Sequence, residues 1–170
     1  RAFREAFDKM KPLAVIQLSV QLYFMGRTES YELTFEKLAN ENNIAIKGLE
    51  TVADQMRIFD ELSSEQQVEM VMESVRDTDH SVQIVEKMQR LYSRQQIDSL
   101  YMFVSQEGGV IEEEQNAFLD ERNKNWIPQI ISLIADNRTF IAVGAGHLGG
   151  PNGVIRLLEK EGYILKPIQL

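Results

Sequence analysis

Only two histidines occur in the 170-residue sequence, His80 and His147, and the second stands in a setting suited to chemistry. The stretch Thr139-Phe140-Ile141-Ala142-Val143 is apolar and β-branched, the composition of a buried strand. Gly144-Ala145-Gly146 follows it, and the imidazole comes next. Ligands in sheet proteins gather at the carboxyl ends of strands, where loops converge. Glycines at 144 and 146 permit positive φ and let a ligand approach the backbone closely, which makes both candidate substrate-binding positions. Gly149-Gly150 keeps the other side of the loop free of side chains. Spacing alone leaves a second reading open, a histidine that merely hydrogen-bonds a turn. His80, within Arg76-Asp77-Thr78-Asp79-His80, reads as a solvated side chain.

Glu50 is the next candidate, at the end of an expected strand in Lys47-Gly48-Leu49-Glu50-Thr51. If that strand runs parallel to 140–143, Glu50 and His147 emerge on one edge of a sheet. A carboxylate and an imidazole placed so would suit a metal ion or general acid–base work. The competing reading is that Glu50 opens the following helix and interacts with its dipole. Arg122, Asn123 and Trp126 form a third cluster, in which the guanidinium could clamp a carboxylate and the indole could wall a pocket. Chemistry alone favours a packing role here, with Trp126 as a core anchor and Arg122 in an ion pair.

The elements that must position these groups are mostly helical. Phe3, Phe7, Met10, Leu13 and Ile16 recur at helical spacing around Pro12, and an apolar stretch at 22–25 stops at Gly26. Ser30 reads as an N-cap for a helix through Phe35 and Leu38 to the turn at 40–43. Thr51 caps the next helix, and Ser63 with Gln66 has capping-box spacing for another. Helical spacing continues from Met70 to Tyr92, a shorter helix spans 98–106 before Gly108-Gly109, and another covers 112–134, kinked or restarted at Pro128. A helix at 154–161 ends where Gly162 supplies a C-cap glycine. Three strands complete the expectation, at 44–49, 139–143 and 163–168. The fold class expected is therefore α/β: a single domain over 1–170, mostly helical, with a small three-strand sheet and a C-terminal strand–loop–helix–strand unit.

Composition excludes several functions. The net charge of -8 repels phosphate backbones, so nucleic acid is not an expected partner. Without cysteine there is no disulfide, thiolate nucleophile or cysteine-ligated zinc. Two histidines cannot build a three-histidine metal site. No apolar run approaches the ~20 residues that span a bilayer. The opening Arg1-Ala2-Phe3-Arg4-Glu5 reads as mid-helix, as in a piece of a longer protein. Three strands are few for so many helices, and an exposed sheet edge would favour a homodimer.

The residues at 139–167, TFIAVGAGHLGGPNGVIRLLEKEGYILKP, resemble the C-terminal signature of the TraB/PrgY/GumN family, to which the Tiki metalloproteases are related. The resemblance extends to Glu121-Arg122-Asn123 with Trp126, to Gly48-Leu49-Glu50-Thr51 with Gln55 and Phe59, and to Leu91-Tyr92 with Asp98 and Leu100. Glu32 stands where the family commonly has Asp, and Gly150 where Pro or another small residue often follows the motif. The resemblance implies an α/β core like that of erythromycin-esterase and ChaN-like proteins, here lacking its N-terminal part. It implies two Gly-x-x-His motifs, of which Gly144–His147 matches the second. It further implies a divalent-metal-dependent hydrolase, most like a peptidase, with His147 and Glu50 as metal ligands or catalytic groups. Arg122 would steady a substrate carboxylate, and Asn123 and Trp126 would touch substrate. Mn²⁺ or Co²⁺ fits that expectation better than Zn²⁺, and only in a complete site. The alternative is a peptide-binding or sequestering protein without turnover. Family relatives favour an extracytoplasmic or cell-envelope setting.

Overall fold

Local capping chemistry sets the helices where the sequence marks them. In the computed structural model of the chain, which describes residues 18, 24, 29–60, 63–107 and 116–168, the Leu33 N–H donates to Ser30 Oγ at 3.2 Å and opens α1, Tyr31–Glu41. Thr51 Oγ1 accepts from the Asp54 N–H at 3.1 Å and Asp54 accepts from the Thr51 N–H at 2.9 Å, opening α2, Val52–Asp60. Ser63 and Gln66 form a reciprocal capping box, Gln66 N–H to Ser63 Oγ at 3.1 Å and Ser63 N–H to Gln66 Oε1 at 2.7 Å, ahead of α3, Ser64–Arg76.

Then follow α4, Thr78–Ser93, and α5, Ile97–Glu107. A π-helical turn, Asn116–Glu121, leads directly into α6, Arg122–Asp136, with Pro128 inside the helix on an exposed position. A 3₁₀ turn, Ala145–His147, precedes α7, Val154–Lys160. That last helix ends in a full Schellman motif. Gly162 takes φ +90°, its N–H donates to the Glu159 carbonyl at 3.0 Å, and the Tyr163 N–H donates to Leu158 at 3.0 Å. The apolar periodicity at 3–16, the stretch before Gly26 apart from Phe24, the glycine pair 108–109 and the start of the 112–134 helix lie outside the described residues.

The chain divides into two compact units, residues 1–78 and 79–170. In the first, α1 buries none of its residues. The second holds the apolar core seen among the described residues: Leu100 and Phe103 of α5, Leu119, Trp126, Ile127 and Ile130 around α6, and Val154 and Leu158 of α7. The buried positions on α6, at 123, 126, 127 and 130, follow the i, i+3, i+4, i+7 spacing of one helical face. α7 packs against α6, and α5 against the 3₁₀ turn.

The expected sheet is corrected by the structure. None of the segments 44–49, 139–143 and 163–168 forms a strand, and no strand occurs among the described residues. The α/β class, the strand–loop–helix–strand unit and the erythromycin-esterase-like core are therefore not what these residues build; only the helix of that unit, α7, is present. The physical reason is that β-branched composition reports how side chains would fit a pleated surface. A strand exists only when its backbone donors and acceptors meet those of a neighbour. Phe140, Ile164 and Ile168 are exposed rather than sandwiched in a sheet core. The sheet edge on which self-pairing was expected is absent with it. Among the described residues no helix is long and apolar enough to cross a membrane.

Candidate functional site

His147 sits at the end of the 3₁₀ turn, where its N–H donates to the Gly144 carbonyl at 2.9 Å and its side chain is 8% exposed. The ring lies against Trp126, with centroids 4.6 Å apart and planes tilted by 46°. The Arg122 guanidinium lies over the same indole, 5.2 Å from the ring centroid, a cation–π arrangement. Asn123, one position along α6, is fully buried, and its Oδ1 lies 2.7 Å from His147 Nδ1. Its Nδ2 donates to the Asn152 carbonyl at 2.9 Å. A carbonyl only accepts, so the amide nitrogen must face Asn152 and the amide oxygen must face the ring. Nδ1 therefore carries a proton, and in the neutral imidazole Nε2 holds the lone pair.

The network continues away from the ring. Asn152 Nδ2 donates to Asp120 Oδ2 at 2.7 Å, and the Tyr101 hydroxyl donates to Asp120 Oδ1 at 3.0 Å. Burial and the adjacent Asp120 carboxylate push the Tyr101 phenol above its ordinary pKa, so it stays a donor. Asp98 at the start of α5 accepts from the Gly150 N–H at 2.9 Å and fixes the opposite side of the loop. Beside this loop runs an open groove of about 660 Å³, lined by Asp98, Tyr101 and Met102 of α5, by Pro151, and by Arg156, Glu159 and Lys160 of α7.

The glycines act differently from expectation. Gly144 has φ -56°, and positive φ among the described glycines occurs at Gly150 and Gly162, so neither Gly144 nor Gly146 is there for left-handed backbone. A Cβ at Gly144 would only reach ordinary contact with His147, at 3.7 Å. The sterically committed positions in this loop are Gly149, where a Cβ would run into the Ile97 carbonyl, Gly150, at φ +79° against the Tyr101 ring, and Gly153, where a Cβ would run into the Gly149 and Leu148 carbonyls. We expect Gly149→Ala to destabilise the protein by about 1–3 kcal/mol through overpacking. Gly144→Ala should stay within about 0.5 kcal/mol of wild type. Chemical denaturation of the two variants side by side checks the ranking, and equal costs would contradict it.

The structure brings together His147, Asn123, Trp126 and Arg122 within the second unit. Glu50 belongs to the first unit, in the bend before α2, where it accepts from Gln55 Nε2 at 2.8 Å. The sheet edge expected to carry Glu50 and His147 together is not formed. His80 is exposed, in the first turn of α4. Sequence reasoning missed Asp120, Asn152 and Tyr101. A signal for Asp120 existed, because it shares a helical face with Asn123 and Trp126, and a polar residue on an otherwise apolar face is a buried one. Nothing in the spacing pointed to Tyr101 or Asn152, which lie 19 and 32 positions from Asp120.

Tested as a metal site, the cluster offers one nitrogen of ligand quality, His147 Nε2. Among the described residues no group of three or more His, Asp or Glu is placed to hold a metal ion. A divalent ion at His147 thus requires donors beyond this cluster. Compared with known proteins, residues 1–167 match the family model described as the TraB/PrgY/gumN family. No curated protein and no solved structure matches the chain.

Proposed function

The chain belongs to the TraB/PrgY/gumN family, and from that premise we propose that it carries the histidine part of a divalent-metal-dependent, peptidase-like hydrolase site. The observation that supports this most is the buried Nδ1–H···Oδ1 bond from His147 to Asn123, which commits the lone pair to Nε2. Histidines that ligate metals are held in this way through their other ring nitrogen. His147 would supply one ligand, with the further donors and the base that accepts a proton from water lying outside its cluster. Arg122, mounted on Trp126, would hold a substrate carboxylate. A divalent ion bound there would polarise a carbonyl and a water. Within this chain, Asn123 and Trp126 orient the imidazole and keep water from its buried face.

Calorimetry with Mn²⁺ on the protein and on His147→Ala tests the reading. Affinity is expected to fall by about 10-fold or more when the ligand is lost; equal binding by both would remove His147 from any metal role. A second reading draws on the open groove beside Pro151, which combines the apolar surface of Tyr101 and Met102 with charges of both signs, Arg156 and Lys160 beside Asp98 and Glu159. It is capture of a peptide without turnover. Mass spectrometry of a peptide library after long incubation with Mn²⁺ separates the two, since a hydrolase yields fragments and a binder returns intact peptide.

A further inference from the structure

We propose that the exposed apolar side of α1 is a docking surface for a basic amphipathic helical segment of another polypeptide. The surface lies in the first unit and does not depend on His147 or its neighbours.

α1 has an apolar side but buries none of its own residues. Tyr31, Phe35 and Leu38 recur at i, i+4 and i+7 and so lie along one side of the helix. Tyr31 is 63% exposed and Leu38 49%, and the Phe35 ring stacks on Tyr31 with centroids 6.0 Å apart. The stripe continues past the helix end. Asn43 takes φ +55°, its N–H donates to the Asn40 carbonyl at 3.3 Å, and the Ile44 N–H donates to the Ala39 carbonyl at 2.8 Å. These are the bonds of a Schellman motif, which turns the chain back over the last helical turn. Ile44 thereby extends the stripe beyond Ala39 and is itself 62% exposed. Among the described residues of the first unit no apolar side chain is buried. An exposed apolar stripe bordered by charge marks a contact surface for another chain.

Charge decides the occupant. Glu32 and Glu36, one turn apart, run along one flank of the stripe, and Glu41 stands on the other, paired with Lys37 at 3.9 Å. All three carboxylates are exposed. An apolar seam with acidic flanks selects lysine or arginine on the flanks of the helix that covers it, because flanking charges set partner choice between paired helices. A second copy of this chain fits less well, since it brings the same acids and a net charge of -8 to the contact.

Fluorescence anisotropy of labelled synthetic peptides, titrated with the whole chain, tests the assignment. The probes are a helical leucine–lysine peptide of about three turns with one apolar face, its counterpart with glutamate for lysine, and a scrambled leucine–lysine peptide without an apolar face. The first should bind and weaken with added salt, and the other two should bind at least about tenfold more weakly. Tyr31→Ser combined with Leu38→Ser should cost the first peptide at least about tenfold in affinity. Glu32→Gln combined with Glu36→Gln should weaken it at low salt and flatten the salt dependence. Leu33→Ser, exposed on the opposite side of α1, should leave binding unchanged. All these positions are exposed, so the variants keep the fold. No binding of the lysine peptide, equal binding of the glutamate peptide, or unchanged affinity in the Tyr31→Ser, Leu38→Ser variant overturns the proposal. A peptide-free dimer in sedimentation velocity that Leu38→Ser dissolves would give the surface to a second copy and overturn it too. Mn²⁺ plays no part in these readouts, so the hydrolase reading stands or falls separately.

Discussion

Trp126→Ala is expected to lower stability by about 3–5 kcal/mol, the range for truncating a large buried aromatic side chain. The indole is 5% exposed, lies 4.6 Å from the His147 ring and carries Arg122 at 5.2 Å. Its loss opens a cavity in the second unit and unseats the imidazole at once. For a protein of this size each kcal/mol corresponds to about 2–4 °C in Tm, so the melt should fall by roughly 6–20 °C. Trp126→Phe refills most of the volume and should cost less than half as much. Circular dichroism melts of the two variants measure this, and a shift below about 2 °C for the alanine variant would mean that the site does not rest on the indole. Trp126 is also the chain's single tryptophan, so its emission in the wild type reports on this site alone.

The second large effect is expected from Asn123→Leu, a change of polarity at nearly constant volume. The amide is fully buried and serves two partners, the His147 Nδ1–H and the Asn152 carbonyl. Leucine leaves a buried donor and a part-buried acceptor unsatisfied, at about 1–3 kcal/mol each, or roughly 2–6 kcal/mol together. The denaturation midpoint should drop with the slope unchanged, because the surface exposed on unfolding is the same. A midpoint within error of wild type would show that the two polar groups find other partners, and the tautomer argument would lose its middle link. Asn123 was expected to touch substrate. In the structure its amide bonds the His147 ring and the Asn152 carbonyl.

Where the sequence could be read well, the cause was local. Ser30, Thr51, Ser63 with Gln66, and Gly162 each act on backbone groups within five positions of themselves, and each does in the structure what its spacing implied. Trp126 as a core anchor was legible too, because the face it shares with Ile127 and Ile130 repeats with the helical period. The strands were not legible. Val143, Ile164 and their neighbours have the right composition, but pairing is a relation between distant segments, and composition does not contain it.

The Gly144–His147 loop divides along the same line. From its sequence alone came the candidate imidazole, a family for the chain, and a loop crowded with glycine. Those are properties of residue type and short spacing. Only the tertiary structure decided which glycines are needed, because the demand at Gly149 and Gly150 comes from Ile97 and Tyr101 some 50 positions earlier. It also decided which ring nitrogen is protonated, since that rests on an amide 24 positions away, itself oriented by the Asn152 main-chain carbonyl. A tautomer is set by the partner the ring meets, and which partner that is depends on how α6 and the 148–153 loop pack.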